Sequence, residues 1–259
     1  MTLLNELSRW MHILAGILWI GMLYFFNFVN GPFAGTLDGD TKKKVVPELM
    51  PRALFWFRWG AFWTWCTGVL MLLIVFYHGG LMFDADGTWT AGAIVMVLTV
   101  FVAPFIYDAL QKSALGKDPK TFGAVCFVLV SIVAALMALW GGFSYRAYNI
   151  HLASMFGTIM AFNVWFRIWP AQRVIIKGVK GDGPAADPAL VAFAAGRSRH
   201  NTYMSVPLFW GMINQHTPTV ATTLGIPAQY GFVLFLLVVL LGWHIVWHLY
   251  KKAPKVKGF

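Results

Sequence analysis

The chain contains seven runs of about 20 mostly apolar residues, separated by segments rich in Gly, Pro and Asp. A helix needs roughly that length to cross the hydrocarbon layer of a bilayer, so each run predicts a transmembrane helix. The predicted spans are residues 7–30, 55–78, 92–111, 121–143, 148–169, 195–215 and 229–250. Charged residues make up only 12% of the chain, whereas soluble domains average about 25%. We therefore predict an all-α integral membrane protein, with one transmembrane helical-bundle domain over residues 1–259.

Lysine and arginine are distributed unevenly between the two sides of the predicted bundle. Of these 20 residues, 17 fall in or beside the loops after spans 1, 3 and 5 and in the tail, while only Arg9 and Arg146 fall on the other side. Cytoplasmic loops of membrane proteins carry such an excess, so we expect the amino terminus outside and the carboxyl terminus in the cytoplasm. This topology also explains the net charge of +10 without a nucleic-acid partner.

The seven histidines fall into two groups by their depth along the predicted helices. Near the outer face lie His12, His78, His151 and His216, and near the inner face lie His200, His244 and His248. Ionisable groups within spans are costly and usually face the bundle interior, and paired imidazoles at two depths are what two stacked b-type haems require. Histidines at an interface can also simply contact water, which is the interpretation we favour for His78. For His12, His151 and His200 we favour a cofactor or substrate role.

Arginines stand beside several of these histidines. Arg9 precedes His12 by three residues and therefore lies on the same helix face. Arg197 and Arg199 closely precede His200. A haem carries two propionates, and guanidinium groups bind carboxylates through two parallel hydrogen bonds, so these arginines are candidate propionate ligands. The alternative for Arg197 and Arg199 is ordinary positive charge on the cytoplasmic side.

Four segments together resemble one known family. They are RWMHILAGILWIG at 9–21, YNIHLASMFGTIMAFNVW at 148–165, GRSRHNTYMSVPLFWGMINQH at 196–216, and the segment around the last histidine. The family is the urate oxidase N-terminal family, the membrane domain of bacterial urate oxidases fused to cytochrome c, and the similarity covers nearly all 259 residues. The residues on the family pattern are His12, His151, His200, His216, His248, Arg9, Trp10, Gly157, Asn163, Arg197, Asn201, Tyr203 and Pro207. His78 and His244 are particular to this chain.

The resemblance implies a multi-pass redox protein of the bacterial inner (cytoplasmic) membrane that passes substrate electrons to a c-type cytochrome. We expect one or two non-covalent haem b groups. The predicted iron ligands are His12, His151, His200 and His248, together with His244 on the same helix face as His248. The predicted cofactor-binding residues are Arg9, Arg197, Arg199, Asn201 and Tyr203. His216 is the predicted catalytic residue, as a substrate or proton contact at the outer mouth, and its alternative is a helix-end histidine in water.

The chain departs from the fused relatives at its end. It stops at KVKGF and contains no CxxCH motif for covalent haem. We therefore expect electrons to leave to a separate c-type cytochrome or to other subunits of a respiratory complex. Two further functions stay open: a non-catalytic di-haem b electron-transfer subunit of a larger membrane complex, and a cofactor-free transporter or assembly subunit. Whether the chain is an enzyme, and whether it uses urate, stays open as well.

Overall fold

A computed structural model describes residues 2–258, which are mostly helical and contain no β-strand within that range. In chain order the helices are α1 (Thr2–Tyr24), α2 (Gly31–Thr36), α3 (Gly39–Met71), α4 (Ala91–Lys112), α5 (Pro119–Leu139), α6 (Tyr145–Asn163), α7 (Trp169–Lys180), α8 (Pro188–Asn214), α9 (Val220–Thr223) and α10 (Phe232–Lys252). Helices α1, α3 and α6 each continue into a π-helical turn, at Phe25–Asn30, Leu72–His78 and Val164–Ile168. The prediction of an all-α chain is confirmed.

Five helical stretches in the described chain are long and apolar enough to cross a membrane. They are Thr2–Thr36, Gly39–His78, Ala91–Lys112, Pro119–Leu139 and Phe232–Lys255. The other two predicted spans coincide with α6 and α8, whose hydropathy is lowered by polar side chains. Several of these side chains are buried, including Asn149 and His151 in α6 and Arg197 and Asn201 in α8. The prediction of a membrane protein is supported, and the count of seven spans stays a prediction.

Helices α1 and α3 pack closely through small residues on α3. Gly60, Thr64 and Gly68 recur every four residues and therefore share one helix face. A Cβ atom added to Gly60 would lie 3.0 Å from the backbone nitrogen of Trp19, and one added to Gly68 would lie 3.1 Å from Cε1 of His12. Small residues let membrane helices approach in this way. The contact fixes the His12 ring against α3.

Replacing Gly60 with alanine is expected to destabilise this helix pair. The new methyl group would meet the backbone of Trp19, which cannot turn aside as a flexible side chain could. Overpacking of this kind costs about 1–3 kcal/mol. Thermal unfolding in detergent measures the effect, and Gly21→Ala is the matched control because no atom lies within 4 Å of its added Cβ. Equal melting temperatures for Gly60→Ala and the wild type would contradict the proposed close contact.

The three π-helical turns lie next to polar side chains that face other helices of the fold. Asn27 lies in the turn at Phe25–Asn30, and Tyr77 lies in the turn at Leu72–His78. Asn163 immediately precedes the turn at Val164–Ile168. A π-helical turn shifts the register of the side chains that follow it and is frequent at functional sites. Each of these residues makes a contact described below.

Loops between the helices end in recognisable caps. Asp118 begins α5, where its carboxylate accepts from the hydroxyl and the backbone nitrogen of Thr121, and these hydrogen bonds lower the pKa of Asp118. Helix α7 ends at Gly181, whose φ of +90° is a left-handed conformation that glycine adopts without strain. The predicted Gly- and Asp-rich loops therefore do stop the helices.

The contacts divide the chain into two compact units. The first unit contains residues 2–70, 160–205 and 243–258, and the second contains residues 71–159 and 206–242. His12, His200, His244 and His248 belong to the first unit, whereas His78, His151 and His216 belong to the second.

Candidate functional site

The first unit contains a buried arginine bonded to the first of two linked amides. Arg197, Asn163 and Asn201 are all fully buried. Nη1 of Arg197 donates to Oδ1 of Asn163 at 3.1 Å, Nδ2 of Asn163 donates to Oδ1 of Asn201 at 2.9 Å, and Nδ2 of Asn201 donates to the carbonyl of Met160 at 3.0 Å. The guanidinium also lies 5.0 Å from the ring centroid of Phe193. A cation at this depth is costly unless it is well bonded, so it marks a candidate site.

Hydroxyl groups extend this polar region within the same unit. Nδ2 of Asn27 donates to Oγ of Ser198 at 2.8 Å. The hydroxyl of Tyr250 reaches Oδ1 of Asn27 at 2.8 Å and Oγ1 of Thr202 at 3.2 Å. Ser198 and Thr202 are four residues apart and share one face of α8. Asn27, in the π-helical turn after α1, and Tyr250, in α10, therefore both bind to that face of α8.

Two more predicted residues on α8, Arg199 and Tyr203, contact the Tyr250 ring. The guanidinium of Arg199 lies 4.5 Å from the centre of the Tyr250 ring, and Tyr203 stacks on that ring at 6.0 Å. Arg199 itself is exposed, whereas Arg197 is buried. His200 is half-buried one turn before Met204. The two arginines that the sequence treated as equivalent thus lie in different environments, and Arg197 is the one inside the protein.

His12 presents one ring nitrogen and anchors the other. Its Nδ1 lies 3.2 Å from Oγ1 of Thr67, and that hydroxyl donates to the carbonyl of Trp63 at 2.6 Å. Because the single hydroxyl proton of Thr67 is directed to Trp63, the hydroxyl accepts from His12, and we assign the proton to Nδ1. Nε2 of His12 then carries a lone pair. Arg9, on the same helix, pairs with Glu6 at 3.7 Å and is about half exposed.

His151 is fully buried in the second unit and shows the same arrangement. Its Nδ1 lies 2.7 Å from the carbonyl of Ala147, which can only accept, so Nδ1 carries the proton in the neutral ring. Its Nε2 lies 3.0 Å from the hydroxyl of Tyr77. The rings of Phe143 and Phe76 lie 4.9 and 5.9 Å away. His151 is therefore a pre-oriented imidazole in an aromatic surrounding.

A second polar cluster in this unit lies close to His216 along the chain. Asn214 is buried and donates to the hydroxyl of Tyr145, and the Tyr145 ring packs on Tyr148 at 5.3 Å. Two buried atoms of this region, the Tyr148 hydroxyl and Oδ1 of Asn149, have no hydrogen-bond partner among the described residues. Buried polar atoms of this kind are usually satisfied by water or a ligand. His216 is exposed, two residues beyond Asn214.

His244 and His248 contact each other on an exposed face of α10. Their Nε2 atoms are 3.0 Å apart and both side chains are exposed. Two axial ligands of one haem approach the iron from opposite sides, roughly 4 Å apart for metal–imidazole bonds of about 2.0 Å. These two nitrogens lie on the same side of one helix at a shorter separation, so the pair does not have the geometry of two axial ligands. At most one of these two histidines could therefore be an axial ligand of a given haem.

The donor chemistry of His12 and His151 fits axial ligation of a haem. Metal-ligating histidines almost always donate their second ring nitrogen to a carbonyl or another acceptor, which fixes the tautomer. Both histidines meet that condition, and at His151 an iron ion would take the place of the Tyr77 hydroxyl at Nε2. Within residues 2–258, no three His, Cys, Asp or Glu side chains gather to hold a bare metal ion.

Several contact residues were not predicted from the sequence. Thr67 and Tyr77 anchor or face the ring nitrogens of His12 and His151, and Asn27 and Tyr250 hold the α8 face. Asn27 interrupts an apolar run, and polar residues inside spans often mark functional sites. That signal was available at Asn27, whereas the threonine and the tyrosines looked like ordinary span residues.

Comparison with known proteins gives one match. The family model described as urate oxidase N-terminal matches residues 33–257. No curated protein and no solved structure matches the chain. The matched range includes His151, Arg197, His200, His216 and the pair on α10, whereas Arg9 and His12 precede it. Because the match covers most of the chain, this all-helical protein with several apolar, membrane-length helices belongs to the urate oxidase N-terminal family.

Proposed function

We propose that the chain is a haem-binding redox protein of the bacterial inner membrane. In this proposal seven helices cross the bilayer, with the amino terminus outside and the carboxyl terminus in the cytoplasm. The protein takes electrons from a small molecule of the urate class and passes them to a separate c-type cytochrome or another respiratory partner. Family membership supports the substrate class, and the uneven distribution of lysine and arginine supports the topology.

The observation that carries the haem proposal is the state of two imidazoles. His12 and His151 each have Nδ1 anchored, so that Nε2 carries the lone pair. This is the state in which imidazole binds iron. In His151 this lone pair accepts from the Tyr77 hydroxyl, a contact that iron would have to displace. His200, half-buried on α8 three residues after Arg197, is the further ligand candidate.

A haem supplies one-electron redox chemistry when bound, and the side chains around it orient and tune it. Arg197, with its guanidinium already oriented by Asn163, is our first candidate for a propionate contact, and Asn201 stands next in that hydrogen-bonded chain. Arg199 and Tyr203 border the same region, and Arg9 stands one turn from His12. Each of these groups would place the cofactor without taking part in electron transfer.

His216 is the proposed catalytic contact with the substrate. It is exposed, so a water-soluble molecule can reach it, and Asn214 links its helix end to the Tyr145–Tyr148 cluster. The Tyr148 hydroxyl and Oδ1 of Asn149 in this cluster are buried and have no hydrogen-bond partner among the described residues. His216 would accept or deliver the proton that accompanies oxidation.

A second candidate function is a di-haem electron-transfer subunit without catalytic activity. The distribution of candidate ligands favours it, because His12 and His200 belong to one unit and His151 to the other. A second cofactor would serve electron transfer without substrate chemistry. Spectral quantification of haem per chain tests this, since the candidate requires two.

The test of the main proposal is a reduced-minus-oxidised absorption spectrum of the protein purified in detergent. We expect the Soret and α bands of a b-type haem, and the absence of both would overturn the haem proposal. Urate oxidation with added cytochrome c as acceptor then separates the enzyme from the electron-transfer subunit. Turnover that falls at least tenfold in His216→Ala supports the catalytic assignment. A haem protein without urate turnover supports the second candidate.

A further inference from the structure

The exposed histidine pair on α10 has a geometry of its own. His244 and His248 are four residues apart, so both imidazoles project from the same helix face. Their Nε2 atoms are 3.0 Å apart and their ring centroids 4.5 Å apart, with the rings at 79° to each other. The rings are therefore edge to face, with the two Nε2 atoms adjacent to each other.

The separation of the nitrogens sets the angle that a shared metal ion would make. With metal–imidazole bonds of about 2.0–2.1 Å, two nitrogens 3.0 Å apart subtend about 91–97° at the ion. Neighbouring positions of a square-planar or octahedral ion are 90° apart, whereas a tetrahedral ion would require the nitrogens to be about 3.3 Å apart. Square-planar and tetragonal nitrogen sites are typical of Cu²⁺ and Ni²⁺.

We propose that His244 and His248 form a chelating site for a divalent transition-metal ion of the Cu²⁺ or Ni²⁺ type, separate from any haem. The two imidazoles occupy adjacent positions of the ion, and water or a partner's side chains complete the coordination. The position after His244 is Ile245, where the H-E-x-x-H motif of zinc proteases has its glutamate. The site therefore lacks that general base, and binding rather than hydrolysis is its function.

Metal binding at this pair changes no side-chain charge. In the neutral pair one Nε2 carries a proton that it donates to the other. On binding, that ring gives up its Nε2 proton to solvent and takes one at Nδ1, so each imidazole stays neutral and presents a lone pair. No oxidant or reductant is required.

Both imidazoles of the pair are exposed, and Trp247 and Lys251 lie beside them. Trp247 stacks on His244 at 5.8 Å and meets His248 edge-on at 4.8 Å, which restricts both rings. The ammonium of Lys251 lies 3.4 Å from the centre of the Trp247 ring. Lys251 and Lys252 end α10, so His248 stands about one helical turn from the charged end. Both exposed rings therefore stand within two helical turns of the lysine-rich end of α10, from which an ion would approach.

The test is a titration of the full chain, purified without a polyhistidine tag and stripped with EDTA, with CuCl₂. Electron paramagnetic resonance should show one Cu²⁺ per chain in a tetragonal environment with coupling to two nitrogens. We expect His244→Ala and His248→Ala each to weaken binding at least tenfold, and the double variant to lose the signal. His78→Ala is the matched control, because this exposed histidine lies in the other unit.

The outcomes distinguish this site from the proposed haem. Loss of the copper signal with an unchanged haem spectrum in the double variant supports the inference. A double variant that binds Cu²⁺ as the wild type does would overturn it, because copper would then bind elsewhere on the chain. A double variant that loses the haem bands would also overturn it, since the pair would then serve the haem. Failure to find any haem in the wild type leaves the copper result to be judged alone.

Discussion

Replacing His151 with alanine should lower the b-type haem content of the purified protein at least tenfold. The His151 imidazole is fully buried, and the hydrogen bond of its Nδ1 fixes the ring orientation and leaves the lone pair on Nε2. Alanine supplies no donor, and it also removes the ring contacts of His151 with Phe76 and Phe143. If His151 holds the proposed haem, the substitution would remove an iron ligand together with the orientation that the Ala147 carbonyl imposes on it.

The measurement is haem absorbance per chain, with His78→Ala as the control. His78 is exposed and lies beside Tyr77, so its removal should leave the spectrum unchanged. Size-exclusion chromatography checks that His151→Ala remains folded. An unchanged haem content in the folded variant would remove His151 from the ligand set.

Replacing Tyr77 with phenylalanine should not lower the haem content, in contrast to His151→Ala. The Tyr77 hydroxyl lies 3.0 Å from Nε2 of His151, the nitrogen that iron would take. Removing the hydroxyl frees that nitrogen while the phenyl ring keeps its packing on Trp89. We expect equal or tighter haem binding in Tyr77→Phe. A loss of haem similar to that of His151→Ala would show that the tyrosine is needed and that ligation by Nε2 is incorrect.

The fold could be predicted from the sequence because the bilayer imposes a length and a composition on each span. The apolar runs correspond to long helices, and the boundaries at Gly181 and Asp118 follow local backbone and capping preferences. Helices α6 and α8 are the exception, since their buried polar residues lower the hydropathy that the composition criterion measures. A helix can cross a membrane with polar residues when these residues face the protein interior. Burial of those residues, rather than composition, is therefore the relevant criterion for α6 and α8.

The contacts of the candidate site could be predicted only in part. Depth along a helix follows from residue number, so the sequence identified Arg197 and His151 as unusual. Their partners depend on tertiary packing: Tyr77 is 74 positions from His151, and Asn163 is 34 positions from Arg197. The sequence could not distinguish buried Arg197 from exposed Arg199, because that difference depends on which neighbours cover each face of α8.

Replacing Asn163 with leucine should destabilise the protein by about 3 kcal/mol. Leucine fills a similar volume but removes two hydrogen-bonding groups from a fully buried position. Nη1 of Arg197 loses its acceptor at 3.1 Å, and Oδ1 of Asn201 loses its donor at 2.9 Å. A hydrogen bond to a charged group contributes about 1.5–3 kcal/mol, and a buried acceptor left unsatisfied costs about 1–3 kcal/mol.

Thermal unfolding in detergent measures this loss, and two controls separate charge from packing. Ser131→Ala removes a hydroxyl that bonds only within its own helix, to the Phe127 carbonyl, and should shift the melting temperature little. Asn163→Asp keeps an acceptor for the guanidinium and should restore part of the stability that leucine loses. If Asn163→Leu melted as the wild type does, the amide would not be what holds the cation. The proposed propionate contact of Arg197 would then lose the group that orients it.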